Sequence, residues 1–375
     1  VSVDSLDASD RAYLARAREL AELGRGTAAP NPCVGALIVR GGTVLGEGFH
    51  RRRGLPHAEV EALAAAAAAG HDVRGATMVV SLEPCDHTGL TPPCSVAVAN
   101  AGIARVVVGT TDPDPRTAGR GVARLRAAGV EVRVVDDAES AETIADFSGW
   151  IARETPFLRI KMAASLDGKI APAPGSFWLT GGAARGYVHD LRASHDAVLV
   201  GAGTVRVDDP LLTVRPPRPR ARPYVRVVAC EDAPVSLDRA MFRPEAGYAR
   251  SIVLAPAGMR ERFEGLDTVA DVVYAGAPDA TRLELRAALV ALHQRGIGSV
   301  LCEGGPTLAA RLLARGLADR LDWLVAPTLL SNPAAVSALA GANVAGAGLR
   351  LRFDRFERLG PDLLISARVE GTTGV

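Results

Sequence analysis

The sequence predicts an α/β protein of two domains. Its 375 residues exceed one ordinary domain, and an apolar fraction of 48% is enough to build two cores. Strand-like and helix-like segments alternate from Val34 to Val135, the pattern of a sheet with helices on both faces. The alternation breaks at Ala152-Arg153-Glu154-Thr155-Pro156 and restarts with a strand at Phe157, which places one domain at 1–150 and a second at 156–370.

Asp10 to Leu23 has helical spacing in Tyr13, Leu14, Ala17, Leu20 and Ala21, with Gly24 as its stop. Val34 to Val39 is an apolar run that Gly41-Gly42 turns into Thr43 to Gly46, a hairpin. Ala58 to Ala69 is an Ala-rich helix ended by Gly70. Strands at Ala76 to Leu82, Arg105 to Gly109 and Val130 to Val135 alternate with helices at Ser95 to Ala101 and Gly121 to Ala128. Asp136 to Trp150 reads as one more helix.

Beyond the break, strands are expected at Phe157 to Ala163, Ala197 to Val200, Val225 to Ala229, Ser251 to Leu254, Val272 to Tyr274 and Ser299 to Cys302. Helices are expected at Gly182 to Ala193, Leu283 to Arg295 and Thr307 to Ala314, and strand-like runs fill Leu321 to Val369. Arg215 to Pro223 carries four prolines, each lacking an amide donor, and reads as a surface loop.

Lys and Arg number 43 against 42 Asp and Glu, so no basic excess calls for nucleic acid or an anionic membrane. The most apolar stretch, Leu63 to Ala69, is far short of the ~20 residues of a membrane span. Val1 to Asp10 is acidic and polar, unlike a signal peptide, and five cysteines are thin material for a disulfide framework. The expected setting is a reducing cytoplasm.

The chemistry concentrates in His57-Ala58-Glu59 and in the stretch from Glu83-Pro84-Cys85 to Pro93-Cys94. One imidazole and two thiols leave a fourth position open, the pattern of a catalytic rather than a structural zinc site. His-x-Glu, then Pro-Cys, then a second Cys is the signature of zinc deaminases of bases. His57 stands where a helix begins and Cys94 opens the next one, so both cysteines are expected as thiolates. Zinc makes a bound water acidic, and Glu59 would be the general base that moves its proton to the ring nitrogen and the departing ammonia. The spacing departs from the simple signature, with eight residues between Cys85 and Cys94 where two are usual.

The second domain has neither a Gly-x-Gly-x-x-Gly nor a Walker sequence. Gly304-Gly305-Pro306-Thr307 lies between a strand and a helix, where free amides can seat a phosphate. On these residues alone, a zinc deaminase of another base or nucleotide joined to an unrelated binding domain stays open. So does a non-enzymatic, zinc-stabilised nucleotide sensor.

Longer blocks narrow the choice. Pro84-Cys85 through Thr91-Pro92-Pro93-Cys94, Asn31-Pro32-Cys33-Val34-Gly35 and Asp112-Pro113-Asp114-Pro115 resemble the deaminase domain of the bifunctional riboflavin-biosynthesis family, RibD (RibG). The stretch from Lys161 to Ala171, Trp178-Leu179-Thr180, Gly201 to Val205, Asp208 to Arg215, Glu303 to Leu308 and Gly360-Pro361-Asp362 resemble its reductase domain. The resemblance implies a cytidine-deaminase-like three-layer domain followed by a dihydrofolate-reductase-like α/β domain. It implies zinc-dependent deamination of a phosphorylated diaminopyrimidine, then NADPH-dependent reduction of its ribosyl group, by an enzyme expected to be a homo-oligomer.

Carried over by position, Asn31, His50 and His87 contact the deaminase substrate. Ala163, Trp178, Thr204, Asp208 and Gly305, Pro306, Thr307 and Leu308 line the cofactor. Ser176, Arg192, Leu212, Arg215 and Glu303 line the reductase substrate, with Lys161 and Lys169 as further polar candidates. Asp208, between the two ligands, would orient the sugar or relay a proton. The guanidinium forks of Arg192 and Arg215 suit a phosphate. The family usually has Lys or Arg between Gly89 and Thr91, where this chain has Leu90; Arg51, Arg52 and Arg53 are candidates to supply the missing charge.

Overall fold

A computed structural model describes residues 7–173, 177–218, 220, 222–231, 233–340 and 348–372. The chain divides into two compact units, Val1–Arg153 and Glu154–Val375.

The first unit contains, in order, α1 (Ala8–Glu22), β1 (Gly35–Arg40), β2 (Thr43–Phe49), α2 (Ala58–Ala68), β3 (Thr77–Leu82), α3 (Cys94–Asn100), β4 (Arg105–Thr110), α4 (Arg120–Ala127), β5 (Glu131–Val134), α5 (Ala138–Thr143) and α6 (Ala145–Ala152). The sheet order is β2-β1-β3-β4-β5. β1 is antiparallel to both of its neighbours, while β3, β4 and β5 are parallel. Alternate residues of each strand serve opposite faces. Leu37, Val39, Val79 and Val107 meet Leu14 and Ala17 of α1 on one face. Ala36, Ile38, Met78, Val80, Val106 and Val108 meet Ala58, Ala62, Val98 and Leu125 on the other. The expected three layers are therefore present.

The Ala-rich helix has a local reason. A Cβ built on Gly46 or Gly48 of β2 would lie 2.4 Å from backbone atoms of Ala62. Small residues on both surfaces let α2 lie directly on β2, which fixes the helix start that carries His57 and Glu59. One expectation fails here, because Asp136 to Trp150 is not one helix. α5 ends and α6 begins around Ile144, at φ −111° and ψ 17°. Thr143 and Ile144 are successive β-branched residues, and Ile144 is buried in the core. Seating that side chain turns the axis.

The second unit contains β6 (Phe157–Ser165), β7 (Lys169–Ala171), α7 (Gly182–Ser194), β8 (Ala197–Gly201), α8 (Ala202–Asp208), β9 (Val225–Ala229), β10 (Ile252–Pro256), β11 (Asp271–Ala275), α9 (Leu285–Gln294), β12 (Ser299–Cys302), α10 (Pro306–Ala314), β13 (Arg320–Ala326), β14 (Val336–Ser337), β15 (Leu349–Leu359) and β16 (Asp362–Thr372). Its large sheet has the order β11-β10-β9-β8-β12-β6-β13-β16-β15. All neighbours are parallel as far as β13, and β16 runs antiparallel to β13 and β15. β7 and β14 form a separate two-stranded ribbon.

Parallel strands covered on both faces read as continuous apolar runs, as in Ala197–Gly201 and Ile252–Pro256. Ligands in such sheets bind outside the carboxyl ends of the strands, where Gly201 and Glu303 stand. α8 was not foreseen; it is short and carries Gly203, a poor helix former. The Pro-rich segment after Arg215 has no helix or strand among its described residues, as expected, but it is not all surface. The Arg220 side chain is 2% exposed and donates to Asp196 at 2.8 Å.

Candidate functional sites

His57 is the N-cap of α2, at φ −78° and ψ 168°, and Glu59 lies in that helix's first turn. Cys94 opens α3. The Cys94 backbone N–H donates to the Cys85 sulfur at 3.4 Å, and the Ser95 N–H to the Cys85 carbonyl at 3.1 Å. These bonds fold the eight-residue insert back so that both cysteines face one imidazole. His57 Nδ1 lies 3.5 Å from Cys85 Sγ and 3.4 Å from Cys94 Sγ. Zinc bond lengths at a tetrahedral angle put a nitrogen and a sulfur ligand about 3.6 Å apart, so the three atoms fit that ion. His57 Nε2, 3.4 Å from Thr91 Oγ1, is left to donate outward, which orients the ring.

The two thiols have different surroundings. The hydrogen bond from Cys94, aided by His57, outweighs burial and brings Cys85 down to about 4. Cys94 is pushed up, first by giving its proton to that bond and then by burial and the nearby Glu59. Metal binding takes both sulfurs as thiolates and releases the protons they carry. Glu59 is 3% exposed, and burial followed by the Cys85 charge pushes its carboxyl up to about 7. That value suits a group that must both take and give protons near neutrality.

These groups open into a cavity of about 530 Å³. Asn31, His50 and His87 all line it together with His57, Glu59 and Cys85. Arg53 and Leu90 share its rim. Leu90 is 72% exposed and lies beside Gly54, so the chain carries Arg53 up to it. Arg51 instead pairs with Glu61 at 3.4 Å and lies over the Phe49 ring.

Two groups of lining residues were not foreseen. Phe147, Trp150 and Ile151 of α6 form an apolar wall. Glu83 is a buried carboxylate that accepts backbone N–H bonds from Asp112, Gly119 and Val122 at 3.2, 2.9 and 3.1 Å. It ties the Asp112–Thr117 wall of the cavity to the strand that leads to Cys85. Its position directly before Pro84-Cys85 was the available signal.

In the second unit Glu303 follows β12 and accepts from Arg192 Nε and Nη2 at 2.5 and 3.0 Å, with Lys161 Nζ at 3.8 Å. Burial alone would raise the Glu303 carboxyl, but Arg192 and Lys161 outweigh it and hold it below its ordinary value. Arg192 Nη1 donates to the Thr213 carbonyl at 2.8 Å, and Arg215 Nε to Thr213 Oγ1 at 3.2 Å. Arg192, Arg215, Glu303 and Lys161 are thus brought together. Lys169 is separately bonded to Ser337 Oγ at 3.1 Å.

The glycine turn expected between a strand and a helix also forms, between β12 and α10. Gly305 is the N-cap of α10, Pro306 its first residue, and the Gly201 N–H donates to the Gly304 carbonyl at 2.9 Å. A Cβ on Gly305 would lie 3.1 Å from Thr204 Oγ1, so the glycine keeps this corner open. A helix N-terminus beside an open corner is a place where a phosphate can sit.

The remaining candidates divide. Ala163 is half-buried on β6, beside Tyr187 and Leu364. Leu212 and Leu308 bury their side chains in the core, leaving only backbone to face a ligand. Trp178 is 78% exposed, with Arg185 over its ring, and Asp208 is exposed at the end of α8. Among the described residues, no hydrogen bond or ion pair ties Trp178 or Asp208 to the Arg192–Glu303 group. Ser176 lies outside the described residues.

A zinc-ligand trio with a buried proton carrier, followed by a parallel-sheet unit with an open glycine corner, defines a two-domain deaminase–reductase. Comparison with known proteins agrees. Residues 7–110 match the cytidine and deoxycytidylate deaminase zinc-binding region, and residues 156–365 match the RibD C-terminal domain. The riboflavin biosynthesis protein RibD of Escherichia coli is 37% identical, over 95% of this chain and 98% of the relative. That of Aquifex aeolicus is 38% identical, over 95% and 97%. The structure of Acinetobacter baumannii RibD superposes with a TM-score of 0.80 at 34% identity, over 96% of this chain and 98% of that one. A diaminohydroxyphosphoribosylaminopyrimidine deaminase/5-amino-6-(5-phosphoribosylamino)uracil reductase from Thermotoga maritima gives 0.81 at 33%, with the same coverage.

The chain belongs to the RibD family. It is a bifunctional deaminase and reductase of riboflavin biosynthesis, with a cytidine-deaminase-like first domain and a dihydrofolate-reductase-like second one, and it uses zinc and NADPH. Among the described residues no helix is long and apolar enough to cross a membrane.

Proposed function

We propose that the first unit deaminates 2,5-diamino-6-(5-phosphoribosylamino)pyrimidin-4(3H)-one to 5-amino-6-(5-phosphoribosylamino)uracil. The second unit then reduces the ribosyl group of that product to a ribityl chain. The observation that carries the first half is the 3.4 and 3.5 Å spacing of His57 Nδ1 from two thiol sulfurs beside buried Glu59. Zinc, when bound there, supplies a water acidic enough to react near neutral pH. Glu59 takes a proton from the attacking water and passes it to the ring nitrogen, then takes the proton of the newly added hydroxyl and gives it to the departing amine. Asn31 and His50 orient the pyrimidine, while Arg53 and His87 face its sugar phosphate.

In the second unit NADPH supplies a hydride. Arg192 has five N–H donors and spends three on Glu303 and Thr213. Among the described residues Arg215 spends only its Nε on a side-chain partner, so its outer nitrogens are the better phosphate ligands. Glu303 holds Arg192 flat against the sugar, and Asp208 manages a proton at the ring opening. All five cysteines are free, in keeping with a reducing compartment, and a cytoplasmic homo-oligomer is the setting we propose. The test is product analysis with NADPH deuterated at the transferable position. Ammonia release followed by deuterium at C1′ of a ribityl product is expected; a product that keeps its ribosyl group refutes the second step.

A further inference from the structure

The loop after α8 is bound to α7 at Thr213 and Arg215 and to Tyr248 at Val214. Asp209 and Leu212 have φ of 39° and 54°, in the left-handed region that side chains avoid. Such a loop keeps its shape only if its surroundings hold it there. Thr213 is held by Arg192 Nη1 at 2.8 Å, and the Val214 N–H donates to the Tyr248 hydroxyl at 2.6 Å. The Arg215 N–H donates to His189 Nδ1 at 3.1 Å. His189 lies on α7 one turn before Arg192, so both project from the same helix face. A ring nitrogen that accepts an N–H bond carries no proton, which puts the proton of the neutral ring on Nε2.

We propose that His189 is a positioning residue of the reductase site. Its unprotonated Nδ1 anchors the Arg215 backbone and so presents the Arg215 guanidinium to the ribose phosphate. This rests on the reading of Arg215 as a phosphate contact. Arg192 faces the imidazole from its own helix, Arg215 from the loop and Glu303 from the turn after β12, with Lys161 of β6 beyond Glu303. Burial first, then the two guanidiniums, hold His189 below its ordinary value against the weaker pull of Glu303 and the Thr213 backbone. The neutral ring that the bond requires is therefore the favoured one.

Three substitutions separate the two ring nitrogens. Asn places its side-chain oxygen where Nδ1 stands, Gln reaches the position of Nε2, and Ala reaches neither. Binding of ribose 5-phosphate, followed by calorimetry, and the reductase KM are to be compared for H189N, H189Q, H189A and R215A in the full chain. Deaminase activity of the same preparations reports folding of the first unit, and NADPH affinity that of the second. H189A and H189Q are expected to weaken ribose 5-phosphate binding and raise KM by roughly three- to tenfold, the loss of one such bond, with kcat unchanged. H189N is expected to restore both values. The KM of the unaltered enzyme should rise as pH falls below the ordinary imidazole range, and that of H189N should not. Unchanged binding in all three His189 variants, with weakened binding in R215A, would overturn the proposal alone. Restoration by Gln rather than Asn would also overturn it. Unchanged binding in R215A would remove the phosphate reading of Arg215 and this inference with it.

Discussion

Asn31 donates its side-chain N–H to Nε2 of His50 across 3.1 Å, and the direction of that bond is fixed by the other side of the ring. His50 Nδ1 lies 3.1 Å from the Pro56 carbonyl, which can only accept. Burial holds His50 below its ordinary value, so the ring is neutral and Nε2 must accept. The amide of Asn31 therefore turns its oxygen away from His50, free to take an N–H from a pyrimidine edge.

Asn31→Asp should reverse this. A carboxylate facing an accepting Nε2 loses the bond and leaves a buried nitrogen unpaired, a cost of about 1–3 kcal/mol. Deaminase KM is expected to rise about tenfold or more, while NADPH oxidation with the deaminated substrate is untouched. Equal KM values in the variant and the parent would show that this amide does not meet the substrate.

Glu59→Gln removes the proton carrier and leaves the three ligands in place. Deamination should fall by roughly 10²- to 10⁴-fold. Zinc content by mass spectrometry should stay at that of the parent. A variant purified without zinc would mean that Glu59 is itself a ligand.

Arg53→Ala tests how the site tolerates Leu90. A hydrogen bond to a charged group contributes about 1.5–3 kcal/mol, so deaminase KM should rise by tenfold or more. Arg51, paired with Glu61, and Arg52 should matter less. Unchanged KM in Arg53→Ala would leave the phosphate to another group on the rim, such as His87 or Arg116.

The acid stability of the second unit should depend on Glu303. Its carboxyl is held below the ordinary value of about 4.3 by Arg192 and Lys161, despite burial. A depressed carboxylate stabilises fully above that ordinary value and stops doing so as pH falls through the lower folded one. Glu303→Gln should lower the melting temperature at pH 7, and the difference from the parent should shrink on acidification. A difference that is constant with pH would mean that the charge is not what stabilises.

The parts of the site that could be read in the sequence are those whose residues lie close together in it. His57, Glu59, Cys85 and Cys94 come from two short stretches with fixed chemistry, and the strands beside them have clear apolar runs. Arg192 and Glu303 stand 111 residues apart, and no local pattern indicates that they pair. Asn31, His50 and Arg215 were legible only through the resemblance, since each alone is an ordinary polar residue. The α6 wall was hidden because 136–150 has the periodicity of one continuous helix, and the demand of Ile144 for the core is a tertiary effect. The burial of Leu212 and Leu308 was missed for the converse reason. Their motifs mark a ligand-binding segment, but they do not say whether side chain or backbone faces the ligand.

The most direct test supplies the diaminopyrimidine and NADPH to zinc-loaded and zinc-depleted protein and follows ammonia and NADPH together. With zinc, ammonia should appear first and NADPH should be consumed in equal amount. Without it, neither should change until 5-amino-6-(5-phosphoribosylamino)uracil is added, whereupon NADPH oxidation should resume at its full rate. Ammonia release by the zinc-free protein, or NADPH oxidation that stays silent with the deaminated substrate, would contradict a zinc deaminase and an independent reductase on one chain.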